Sequence, residues 1–225
     1  LEARRQANAS SETPTRVMIE VLDEERWDQV KSGLAAAFQA PWLDQSADQE
    51  EWEKLLRRAS QQKIAFFAPR GVGPTAWSDD ERTHTHIRRR FMQLGQTLAG
   101  MQIYDLVRAI EAVSTSDEIS AKSIGVTANG DSATLALFAA LMTDKVSELR
   151  LGDLPIRNRS APDLLNVSRI LEVPQATLAA AQRVGKVKLV QTEPGLRNEW
   201  RSQLAGNALA EELVLMDDET ELEAK

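Results

Sequence analysis

Short apolar runs alternate along this chain with longer amphipathic stretches. Arg16 to Leu22 (RVMIEVL) crowds β-branched and apolar residues into a short span and predicts a buried strand ending at Asp23. From Glu24 to Phe38, the residues Trp27, Val30, Leu34 and Phe38 recur every three or four positions, one stripe of an amphipathic helix. A turn follows at Pro41. Glu50 to Ser60 (EEWEKLLRRAS) predicts a second helix, acidic in its first turn and basic in its last, as the helix dipole favours. Lys63 to Ala68 is then a strand stopped by Pro69, and the loop PRGVGPTAW cannot be regular structure. Ile103, Leu106, Val107, Ile110 and Val113 mark a long helix over Leu98 to Val113. Ile119 to Val126 predicts a strand, Thr127 to Gly130 a turn, and Ser132 to Met142 an apolar helix. A strand at Val146 to Leu151, a Pro-bounded loop, helices over Asp163 to Ala181 and a strand at Lys186 to Gln191 follow, with Glu212 to Met216 (ELVLM) a candidate sixth strand.

Strands alternating with helices imply right-handed crossovers and a mostly parallel sheet covered on both faces. The fold class is α/β, a three-layer α/β/α sandwich. No internal repeat is present. Residues 1–14 read as a linker, 15–216 as one domain and 217–225 as a disordered acidic tail. In such sheets ligands bind at the carboxyl ends of the strands. The loops Pro69 to Trp77, Thr127 to Asp131, Gly152 to Ser160 and Thr192 to Leu196 should therefore line any site.

Composition narrows the chemistry. The 27 Lys+Arg stand against 34 Asp+Glu in 225 residues, a formal net charge of -7, which argues against nucleic acid as a partner. No stretch approaches the length of a membrane-spanning helix, so the chain reads as soluble with no membrane partner. The absence of cysteine removes disulfides, thiolate metal sites and Cys nucleophiles. Only two histidines, His84 and His86, are available as catalytic bases.

The segment Ile124 to Leu141 (IGVTANGDSATLALFAAL) has the layout of a nucleophile elbow, a strand entering a tight turn of small residues and then an apolar helix. Together with Phe67 to Gly73 (FAPRGVG) and the helix FMQLGQTLAGMQIYDLVRAIEAV, it resembles the α/β-hydrolase superfamily, most of all its acetyl xylan esterase and dienelactone hydrolase-type branch. The likeness runs from about Lys63 to Val190. It implies a secreted or periplasmic location and, as partner, a carbohydrate or small-molecule ester. The superfamily core has eight strands. Fewer are visible here, which implies that the first antiparallel ones lie upstream and that this is the carboxyl-terminal domain of a larger protein.

The family's elbow is G-x-S-x-G, from which this chain departs. Over Val126, Thr127, Ala128, Asn129 and Gly130, one register puts Ala128 at the apex, and an alanine methyl cannot attack a carbonyl. A register shifted by one, from Gly125, puts Thr127 there. The family's histidine lies after the last strand, whereas no histidine follows His86. The THTH spacing reads as a weak metal site or proton shuttle, or more plainly as a polar lead-in to a helix.

Arg70, Asp153 and Glu193 are candidate cleft residues on strand-exit loops, although each has an ordinary turn or capping reading. The run Arg88 to Arg90 reads as an anion site or a solvated helix face, and RGVG lacks the continuation of a phosphate-binding loop. No cofactor or metal is implied. The resulting expectation is a non-catalytic, degenerate hydrolase-like domain with a structural or binding role. The alternative is an active carboxylic-ester hydrolase with Thr127 or Ser132 as nucleophile and further residues supplied from outside the chain.

Overall fold

A computed structural model describes residues 16–38, 47–77, 80–119, 121–206 and 213–216. The expected linker, the turn at Pro41 and the acidic tail lie outside them. Six strands form one sheet: β1 (Arg16–Val21), β2 (Lys63–Phe67), β3 (Ser123–Asn129), β4 (Val146–Gly152), β5 (Val187–Val190) and β6 (Leu213–Met216). Their order is β2-β1-β3-β4-β5-β6 and every neighbouring pair is parallel. After β1 the chain moves outward to β2 and then returns to the other side of β1, so the order reverses between β1 and β3. That crevice is where open α/β sheets place ligands.

Alternation along the strands separates two unlike faces. Ile19, Val21, Val126, Leu149, Leu151, Val187 and Leu189 all point to one face and are buried there. This face is covered by α4 (Leu98–Thr115), α5 (Gly130–Met142) and α6 (Val173–Val184). α5 is central: from Ser132 to Ala140 every residue is buried, which is why its sequence is apolar all round and shows no stripe. α7 (Pro194–Leu204) adds Trp200, fully buried with its indole N–H donated to the Leu154 carbonyl at 3.3 Å.

The other face carries Met18, Glu20, Thr127, Glu148, Arg150 and Lys188. Here lie α1 (Glu24–Ala37) and α2 (Gln49–Gln61), a helical hairpin that packs closely because Gly33 faces Leu55 and the Trp52 backbone. Asp23 and Asp48 cap the two helices, accepting from the N–H groups of Arg26 and Glu51 at 2.7 and 3.1 Å.

Four departures from the sequence reading have physical causes. β3 runs to Asn129 instead of stopping at Val126, because Thr127, Ala128 and Asn129 continue the ladder with Arg150, Leu151 and Gly152. The helical stretch expected over Asp163 to Ala181 begins only at Val173 and is preceded by 3-10 turns at Asn158–Ser160 and Val167–Arg169. The segment after the Pro69 loop forms a separate helix, α3 (Glu81–Gln93), capped by Asp80. The expected loop after β5 becomes α7, opened by Pro194.

Candidate functional site

The turn that ends β3 is the first place to look. Gly130, at φ +54°, carries the chain from strand into α5, a conformation that costs an L side chain energy. The Asn129 side chain accepts the Gly130 N–H at 2.9 Å and caps the helix. That side chain lies flat over Gly152 of the neighbouring strand, where a Cβ would stand 2.7 Å from Asn129 Oδ1. A Cβ at Gly130 itself would meet nothing within 4 Å. The apex is therefore Gly130, open above the sheet, and not Ala128 or Thr127. Val126 and Ala128 point into the core, Thr127 points to the opposite face, and Ser132 is buried in α5.

The other nominated residues do not converge. Arg70 turns toward α4 and grips Asp105 with two hydrogen bonds of 2.5 Å, while Gln102 donates to the Arg70 carbonyl at 2.8 Å. The Asp105 carboxylate outweighs partial burial and raises the Arg70 guanidinium above its usual range. Asp153, at φ +42°, accepts from the Thr192 N–H and hydroxyl at 2.8 and 2.9 Å and so ties the exits of β4 and β5 together. Glu193 is the N-cap residue of α7 and makes no side-chain capping bond. His84 and His86 both lie on α3, where a spacing of two turns their rings apart.

A cavity of about 550 Å³ opens instead on the polar face of the sheet, between α1, α2 and the ends of β1, β3 and β4. Glu20, Arg26, Arg58, Thr127, Asn129 and Arg150 contribute to its wall. Glu20 is nearly buried, with one oxygen held by Arg26 Nε at 2.6 Å and the other by Arg58 at 2.6 Å. Burial alone would lower the Arg26 guanidinium, but Glu20 and Glu51 outweigh it and hold it above its usual value.

Behind the cavity the charges continue. Glu148 binds Arg150 at 2.9 Å, pairs with Arg16, and stands 4.0 Å from Lys188. Burial, together with repulsion from Arg150, lowers the Arg16 guanidinium. Register alignment puts Glu20, Thr127, Arg150 and Lys188 in a single row across four strands. With both its oxygens engaged by guanidinium groups, Glu20 is suited to fixing geometry and poorly placed to take a proton from a substrate. The cleft presents hydrogen-bonding groups on a rigid sheet, the kind of wall that orients a polar ligand.

The charged row escaped the sequence reading, which placed the site on the loops. Of the four loops expected to line it, only Thr127, Ala128, Asn129 and Gly152 do so. A signal was present: acids and bases recur at every second position inside apolar strands, as in SELRLG and KVKLV.

No known protein family's sequence profile matches the chain, and no curated protein is similar to it in sequence. The fold is similar to the crystal structure of a Bacteroides fragilis protein provisionally assigned as an acetyl xylan esterase, with a TM-score of 0.60 at 12% identity. The likeness covers 94% of this chain and 61% of the other, so the chain spans about three-fifths of that protein's length. At this identity the likeness is one of fold alone: a parallel-sheet α/β architecture.

Proposed function

We propose that this chain is a non-catalytic domain of α/β-hydrolase type, related to acetyl xylan esterases, whose polar cleft binds a small polar molecule instead of cleaving it. The observation that carries the reading is Gly130. The strand-to-helix apex, where an esterase of this architecture carries its nucleophile, bears no side chain, and the space above it is open. The missing base supports the same reading, since both histidines of the chain lie on α3 and none follows β3. The cleft beside the apex supplies the binding role, with Glu20 fixing Arg26 and Arg58 in its wall.

The test is to incubate the protein with an activated acetyl ester and with a serine-directed fluorophosphonate probe. The reading expects no turnover above background and no covalent label. Turnover that disappears in Thr127→Val or Ser132→Ala, or label on either residue, would establish the alternative of an active ester hydrolase. Thermal-shift screening against sugars and small acids then tests the binding role. Gln29 also lines the cleft, and a ligand bound there should raise Tm in the wild type and fail to do so in Gln29→Ala combined with Thr127→Val.

A further inference from the structure

α3 stands apart from the rest of the molecule in its chemistry. Every other α-helix buries at least one side chain, whereas none of the described side chains of α3 is fully buried. It carries Arg82, Arg88, Arg89 and Arg90, all exposed, and among the described residues none of the four forms an ion pair. A chain with net charge -7 thus gathers four exposed guanidinium groups within nine consecutive positions.

Apolar groups are exposed at the same place. A rotation of about 100° per residue sets Met92 between Arg88 and Arg89, on the side away from Ile87. Met92 is 44% exposed, Leu94 at the end of the helix 74%, and Trp77 39%. Trp77 stands at the same end of the helix, beside the half-buried Phe91, with their ring centroids 5.8 Å apart. Solvation alone explains an arginine face. It does not explain an indole, a thioether and a leucine left in water beside it.

We propose that α3 and Trp77 form a docking surface for an anionic lipid bilayer. The guanidinium groups would lie among the headgroup phosphates, to which a basic cluster is drawn, while Trp77, Met92 and Leu94 at the carboxyl end of the helix reach the headgroup boundary. Such peripheral contact needs no spanning helix, and none of the described helices is long and apolar enough to cross a membrane. The sequence-based exclusion of membranes rested on the lack of a span, which does not describe a local patch. An acidic protein segment would satisfy the arginines but would give Leu94 and Met92 no partner, which is why lipid is favoured.

The experiment is sedimentation of the whole chain with vesicles of phosphatidylcholine mixed with phosphatidylglycerol, and with phosphatidylcholine alone. The wild type should bind only the anionic vesicles, more weakly as salt is raised. Arg82→Gln combined with Arg89→Gln and Arg90→Gln should weaken binding by about a hundredfold, roughly fivefold per arginine. Leu94→Ser should weaken it independently of salt. All four positions are exposed, so an unchanged Tm would show that both variants fold. Failure of the wild type to bind anionic vesicles overturns the proposal. So does wild-type affinity in Leu94→Ser alongside loss in the arginine variant, because the surface would then read charge alone and suit an acidic protein.

Discussion

At single positions, the polar face and the apex make opposite demands. Gly130 needs a left-handed backbone and has room above it, so Gly130→Ser should fold at a cost of about 1 kcal/mol, measured by urea unfolding. The restored hydroxyl should give no ester turnover, because no imidazole follows β3 to activate it; turnover in this variant would show that another residue acts as base. Glu148 is the reverse case, a buried carboxylate among Arg16, Arg150 and Lys188. Glu148→Gln removes the charge and keeps the shape, leaving several cations to repel one another. Stability should fall by about 3 kcal/mol. A loss below about 0.5 kcal/mol would mean that these charges are solvated in place. The apex was misplaced in the sequence because G-x-S-x-G was matched to the nearest glycines, whereas ladder pairing with β4 decides where the strand ends. The charged face was legible in principle, since Glu148 and Arg150 alternate with Leu149 and Leu151.

Elements with strong patterns were legible and those with weak patterns were not. β1, α1, α2, β2, α4, β4 and β5 all fall within a few residues of their expected bounds, and the candidate sixth strand is β6. Each of these has either a β-branched run or a clear apolar stripe. α7 was missed although Leu196, Trp200 and Leu204 repeat every four positions, because PGLRNEWRSQL is otherwise polar and opens like a turn. α3 was missed for a different reason: its stripe of Ile87 and Phe91 is only half-buried and its outer face is basic. The loop between β2 and α3 is placed by the Arg70 clip on α4. Both partners are partly exposed, so Asp105→Asn should cost only about 0.5 kcal/mol. Its effect belongs to the element, not to global stability: limited proteolysis between Gly71 and Trp77 should become faster while Tm barely moves. A several-degree fall in Tm with unchanged cleavage would show the clip supporting the core instead.

Across the whole molecule, the sheet divides the energetics between its faces. The apolar face and the helices over it form one continuous cluster, reaching from Ile19 through α5 to Trp200, and its size identifies it as the cooperative core. The polar face holds the cleft and its ion pairs under α1 and α2, while the described side chains of α3 reach the body no more than half-buried. Net stability of a few kcal/mol is shared unequally in such an arrangement, and regions with few buried contacts open without the rest. Amide hydrogen exchange should therefore resolve three classes. α5 and β3 should exchange slowest, only through global unfolding, because their amides lie in the centre of the sheet and its main cluster. α1 and α2 should be intermediate, and a ligand of the cleft should slow them selectively. α3 should exchange fastest of the helices, by local opening that leaves Tm unaffected, and anionic vesicles should slow its exchange while leaving α5 unchanged. Protection of α3 equal to that of α5 in the absence of vesicles would place it in the cooperative core and remove the physical basis for treating it as a separate surface.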